Sequence, residues 1–188
     1  MSLGKVGFRA VVTGTESTGK STLTAELSAF FGCSFSQEAA RLYVEDHRRA
    51  LTVDDVEPIA FQQQALVRSA MASAAELVIH DTDLWSTVVY ADHYYRFRSE
   101  RLLSDARRLS ADLYLLCDID LPWVADPFFR DQGKPKERDD LHNRFVDLLD
   151  REQLSWCLIR GTGESRTHSA IEALTVALKQ RACAHYFD

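Results

Sequence analysis

Gly14-Thr15-Glu16-Ser17-Thr18-Gly19-Lys20-Ser21 carries the spacing Gly, four free positions, Gly, Lys and then a hydroxyl residue. Each fixed position has a task in gripping a phosphate. The glycines let the backbone wrap an anion and aim several N–H groups inward. Lys20 brings an ammonium to the β- and γ-phosphates, and Ser21 offers a hydroxyl to Mg²⁺. Thr15, Glu16, Ser17, Thr18 and Thr22 complete a nucleotide-binding loop. The flanks give the pattern its weight. Upstream, Val6, Phe8, Ala10, Val11 and Val12 read as a buried strand. Downstream, Leu23, Leu27, Phe30 and Phe31 share one helical face. Strand, glycine loop and helix N-terminus in that order predict a P-loop, with the positive end of the helix behind the phosphates.

Outward from this loop, Gly32 is a helix stop and Cys33 to Ser36 a second short strand. Glu38 then lies at the C-terminal edge of that strand, where an open parallel sheet binds its ligands. A carboxylate there either takes the proton of an attacking hydroxyl or complements the dipole of the next helix. Thr52, Asp54 and Asp55 announce a helix that can run to Ala75, with Pro58 as a kink or a later start. Gln63 on this helix is either solvated or reads an amide or base edge.

Leu77 to Asp81 is an apolar strand ending in a carboxylate, which paired with a P-loop fits a Walker B aspartate for Mg²⁺, directly or through water. Residue 82 is Thr rather than a water-activating Glu, and no N-K-x-D motif occurs. Both facts weigh against a mechanical ATPase and a Ras-like GTPase. Trp85, Tyr90, Tyr94, Tyr95 and Phe97 have helical spacing, which serves a core or places one ring on a planar substrate. Asp112 to Asp118 is a further buried strand. Arg130 to Arg138 is basic, poor in apolar residues and interrupted by Gly133 and Pro135. It reads as a loop in the place where a kinase carries an arginine-bearing lid. Trp156 to Arg160 is the last strand, and Gly161 to Arg166 would pass near the adenine by analogy with other P-loop kinases.

The whole chain sets bounds. Its 188 residues are 46% hydrophobic and 27% charged, which suits one globular domain with a real core. The formal charge is −6, so no basic surface for nucleic acid is expected. The chain shows no membrane-length apolar run and no signal peptide, so a cytoplasmic location and no membrane partner are expected. The four cysteines have no zinc-like spacing and read as small apolar residues in a reducing compartment.

Taken together, these residues resemble the ribosylnicotinamide kinase domain of the NadR-type regulators of NAD biosynthesis, and its stand-alone relatives. The resemblance rests on the Gly14 to Thr22 loop, the Gln37-Glu38-Ala39-Ala40-Arg41 element, and Ile79-His80-Asp81-Thr82-Asp83-Leu84. Asp120-Leu121-Pro122-Trp123-Val124, with Asp126 and Arg130, completes it. It covers nearly the whole chain. It implies an α/β three-layer P-loop fold, with a five-stranded parallel sheet in the order 2-3-1-4-5, helices on both faces, and a lid near residues 127–140 of one domain, 1–188. The implied reaction moves the γ-phosphate of ATP to the 5′-hydroxyl of nicotinamide riboside, with Mg²⁺ held by Ser21 and Asp81. Lys20, Glu38, Asp81, Arg130 and Arg138 are the implied catalytic residues. Glu38 is the expected base, although its role and that of Asp81 could be exchanged, and Arg166 joins the nucleotide site. Arg41, Gln63, Asp83, Trp85, Trp123 and Asp126 join Glu38 in binding substrate, with Asp83 on the ribose. The family often has Asp-Gly-Leu-Arg where Asp126-Pro127-Phe128-Phe129-Arg130 stands here, and the lid gains Lys134 and Lys136. The regulator's adenylyltransferase and DNA-binding activities are expected to be absent. A kinase for another nucleoside or nucleotide, a regulatory ATPase with a protein partner, and a homo-oligomer all remain open.

Overall fold

A computed structural model describes residues 7–72, 75–124 and 135–184. Five strands form one parallel sheet: β1 (Phe8–Thr13), β2 (Ser34–Ser36), β3 (Leu77–Asp81), β4 (Leu113–Cys117) and β5 (Trp156–Ile159). Their order is β2-β3-β1-β4-β5, as the resemblance implied. Register places Val12 beside Asp81, so the P-loop leaves the sheet next to the end of β3. Parallel strands need crossovers, and among the described residues these contain α1 (Lys20–Phe31), α2 (Ala39–His47), α3 (Val56–Ala72), α4 (Leu84–Tyr95), α5 (Glu100–Arg108) and α6 (Pro135–Arg151), while α7 (Gly163–Ala184) follows the last strand.

Strand alternation divides the core in two. Ala10, Val12, Ile79, Leu113 and Leu115 face Leu23 and Leu27 of α1 and Ala170 and Leu174 of α7. Val11, Tyr114 and Leu116 face the opposite layer, with Trp85, Val89, Leu102, Leu141 and Phe145. Helices therefore cover both faces, and all five residues of β3 and of β4 are buried.

Two boundaries differ from the expectation. The helix expected from Thr52 begins as a short 3-10 turn, Val53–Asp55, in which Asp55 accepts the Thr52 N–H at 2.8 Å. Pro58 then falls in the first turn of α3, where a missing N–H removes no helical bond. The second concerns the basic stretch. Residues 135–140, read as the end of a lid loop, are the start of α6. Pro135 opens the helix rather than breaking a strand or loop, because a fixed φ suits the first helical position. Residues 127–134, with Arg130, Gly133 and Lys134, lie outside the described residues, as does Asp126.

Candidate active site

The loop between β1 and α1 is built from backbone that only special positions tolerate. Gly14 has φ 132°, and a Cβ there would lie 3.0 Å from the Cys117 carbonyl oxygen. Gly19, at φ 74°, caps α1 with no side-chain cap bond, and α1 has no acidic residue in its first turn. The helix N-terminus is thus left open to an anion.

Every carbonyl from Gly14 to Thr18 accepts from a side chain. Tyr90 Oη donates to the Gly14 oxygen at 3.1 Å. Lys20 Nζ and Thr18 Oγ1 both donate to the Thr15 oxygen at 2.8 Å. Arg138 donates to Ser17 at 3.1 Å and Arg166 to Thr18 at 2.8 Å, while Thr15 Oγ1 makes a long 3.5 Å contact to the Glu16 oxygen. In a planar trans peptide the carbonyl of one residue and the N–H of the next point in opposite directions. Holding these carbonyls therefore also fixes the N–H groups of Thr15, Glu16, Ser17, Thr18 and Gly19, the donors that a P-loop turns to phosphate. Lys20 is only 7% exposed and sits against the loop.

The two arginines do not stand in solvent as lid or adenine residues would. Arg138 is 8% exposed, lies in the first turns of α6, and also donates to the Leu121 carbonyl at 2.8 Å. Burial lowers its pKa below the ordinary arginine value. Arg166 is 4% exposed and pairs with Asp120 at 2.6 Å. Asp120 also accepts the Gly161 N–H at 2.6 Å. Ser17 Oγ donates to the Val124 carbonyl at 2.8 Å, and Leu121 packs where a Cβ on Gly19 would fall. Asp120 to Val124 is thus a buttress for the P-loop. Trp123 lies half-buried within it.

On the other side of the loop, a cleft opens between α2, α3 and α4. Glu16 of the P-loop and Glu38 both face it, with Tyr90, Tyr95, Ser86 and Thr82. Glu38 is the residue before α2, in extended backbone. Gln63 lines the cleft but spends its amide inside the fold. Its Oε1 accepts the Ala39 N–H at 2.9 Å and its Nε2 donates to the Thr82 carbonyl at 3.3 Å. It ties the start of α2 to the end of β3 rather than presenting an edge to solvent. Thr82 holds φ 64°, a left-handed conformation that strains a β-branched residue by about 1–3 kcal/mol.

That turn separates the two aspartates. Asp81 is 4% exposed, and its Oδ1 has no hydrogen-bond partner among the described residues. A buried carboxylate oxygen beside the P-loop suits a cation, and the exposed Ser21 hydroxyl at the start of α1 is a second oxygen for it. No group of three or more His, Cys, Asp or Glu among the described residues could hold a metal. This donor set suits Mg²⁺, which takes few protein oxygens and keeps waters and phosphates. Asp83 departs from the ribose role expected of it. Its oxygens accept the Trp85 N–H at 2.9 Å and the Tyr114 hydroxyl at 2.8 Å, and burial pushes its pKa up to about 6. Trp85 likewise belongs to the core, with its indole N–H donated to Ser110 at 2.9 Å. Arg41 is exposed on α2 and is not among the cleft-lining residues.

The family model AAA_28, described as an AAA domain, matches residues 9–166. The trifunctional NAD biosynthesis/regulator protein NadR of Escherichia coli K12 is 28% identical over 149 residues. That alignment takes in 77% of this chain but only 36% of the relative's length. A crystal structure of NadR in complex with NR superposes with a TM-score of 0.72 at 25% identity, covering 93% of this chain and half of that one. Thymidylate kinase from Ehrlichia chaffeensis shares the fold at 11% identity, TM-score 0.66, covering 92% of this chain and 99% of that one.

Proposed function

The chain belongs to the AAA-domain family AAA_28 and is by fold a P-loop kinase of the nucleoside and nucleotide type, and from that premise we propose that it phosphorylates the 5′-hydroxyl of nicotinamide riboside with ATP, giving nicotinamide mononucleotide. The observation that carries the substrate is the chemistry of the cleft. Nicotinamide riboside has a cationic pyridinium ring. The cleft joins two carboxylates, Glu16 and Glu38, to the rings of Tyr90 and Tyr95. Carboxylates and aromatic faces both favour a cationic ring over a neutral one. The NadR complex with NR supports the same reading.

The P-loop N–H groups and Lys20 take up the phosphates of ATP, and Lys20 follows the charge that develops on the transferring phosphoryl. Glu38 accepts the proton of the 5′-hydroxyl as it attacks. When bound, Mg²⁺ would neutralise charge on the β- and γ-phosphates, held by Ser21 and Asp81.

The assay uses the purified chain with ATP, Mg²⁺ and a panel of nicotinamide riboside, its neutral dihydro form, thymidine and deoxyadenosine. The expected result is the mononucleotide, with the cationic riboside preferred by tenfold or more in kcat/KM. Turnover of a neutral nucleoside alone would keep the kinase and discard this substrate. The AAA-domain description favours one further reading, a regulatory ATPase. It predicts ATP hydrolysis that no nucleoside accelerates.

A further inference from the structure

We infer that Tyr90 is a positioning residue through which the acceptor cleft sets the grip of the P-loop on ATP, an inference that rests on the phosphotransfer reading of the cleft. Tyr90 belongs to both sites at once. It lines the cleft, and its hydroxyl donates to the Gly14 carbonyl at 3.1 Å, 76 residues away in sequence. Behind it, the ring is fixed by Tyr94, stacked at 6.2 Å, and by the Phe145 edge at 5.7 Å. Its neighbours resist movement, since Phe145 is fully buried and α4 packs on α6.

The bond matters because of what lies across the peptide. The Gly14 carbonyl shares its peptide plane with the Thr15 N–H, so the tyrosine hydroxyl orients the first N–H of the phosphate cradle. The rest of the loop is oriented by Lys20, Arg138 and Arg166, none of which lines the cleft. A ring lodged against Tyr90 restricts the tyrosine, and with it the Gly14–Thr15 peptide. By linkage, the nucleotide must strengthen acceptor binding by the same factor as the acceptor strengthens nucleotide binding.

The test is Tyr90→Phe in the full chain, which keeps the ring and removes only the hydroxyl. The first arm measures Mg-ATP affinity by calorimetry without acceptor. The expected result is a five- to tenfold weaker affinity, and an unchanged affinity overturns the proposal. The second arm repeats the titration with nicotinamide riboside and follows turnover. The wild-type chain is expected to bind nucleotide several-fold more tightly with riboside present. Tyr90→Phe is expected to lose most of that gain, with kcat lowered and the riboside affinity at saturating Mg-ATP weakened by the same lost factor, while riboside affinity without nucleotide stays within twofold. Gain of wild-type size in the variant, or no gain in the wild type with bound riboside, overturns it. If riboside does not bind at all, the substrate reading fails and the first arm alone decides the role of Tyr90. Tyr43→Phe, which deletes a hydroxyl bonded to Asp55 at 2.9 Å, is the control for lost stability alone. It should lower Tm without weakening nucleotide.

Discussion

Glu16 and Glu38 line one cleft, and the proposed reaction gives them different work. Glu38 precedes α2 at the strand edge where the attacking hydroxyl would lie, whereas Glu16 offers charge from the loop itself. Glu38→Gln should lower kcat by about 10²–10⁴ with little change in riboside KM, since proton removal is felt in the transition state. Glu16→Gln should instead raise riboside KM by about fivefold, a loss on the scale of one cation contact, and act far less on a neutral nucleoside. Steady-state kinetics of both variants check this, and equal effects on kcat would remove the division of labour. Lys20 and Ser21 could be singled out at this scale because the P-loop pattern fixes their spacing. Tyr90, Arg138 and Arg166 were not legible as braces. A bond from residue 90, 138 or 166 to a loop carbonyl leaves no local spacing to read.

The end of β3 shows what an element adds to its residues. His80 points to the α3 and α4 layer beside Val11, bonded to Ser36 at 2.7 Å. Burial pushes its pKa down to about 4 from 6.5, so it folds neutral. Its contribution is present above pH 6.5 and lost as pH falls towards 4, because the unfolded chain then binds the extra proton. Asp83 has the opposite sign. With its pKa raised from 3.8 to about 6, its burial weakens the fold as pH rises through 6. Each effect is worth about 3 kcal/mol, and the two oppose each other across nearly the same window. Asp83→Asn should therefore unmask the histidine, giving a variant that loses stability on acidification from pH 6.5 to 4.5 more steeply than wild type. Urea denaturation across that range measures it, and parallel curves would contradict the pairing. Elements were more legible than their ends. The apolar runs located the strands, while Pro135 was read as a loop residue because a proline before a helix and one inside a loop look alike in sequence.

At the scale of the whole molecule, the P-loop is where distant parts of the chain meet. Tyr90 brings α4 to it, Arg138 brings α6, and Arg166 brings α7 together with the Asp120 buttress. The strand order came from the family resemblance rather than from any local pattern, since apolar runs locate strands without saying which lie side by side. The convergence on one loop was not legible, because it exists only after the sheet has closed. Arg166→Ala tests whether these ties serve binding as well as folding. It strips Asp120 of a 2.6 Å ion pair and the Thr18 carbonyl of its donor, so the chain without ligand should lose about 2–4 kcal/mol. Binding adds a second, separable quantity. Mg-ATP at a hundred times its wild-type Kd should stabilise the wild-type fold by about 2.7 kcal/mol. If Arg166 orients the Gly19 N–H by holding the Thr18 carbonyl, affinity falls about tenfold and the same nucleotide concentration stabilises the variant by only about 1.4 kcal/mol. Denaturation of both chains with and without Mg-ATP separates the two effects. A variant with lowered stability but an undiminished nucleotide increment would make Arg166 a strut for the sheet edge alone.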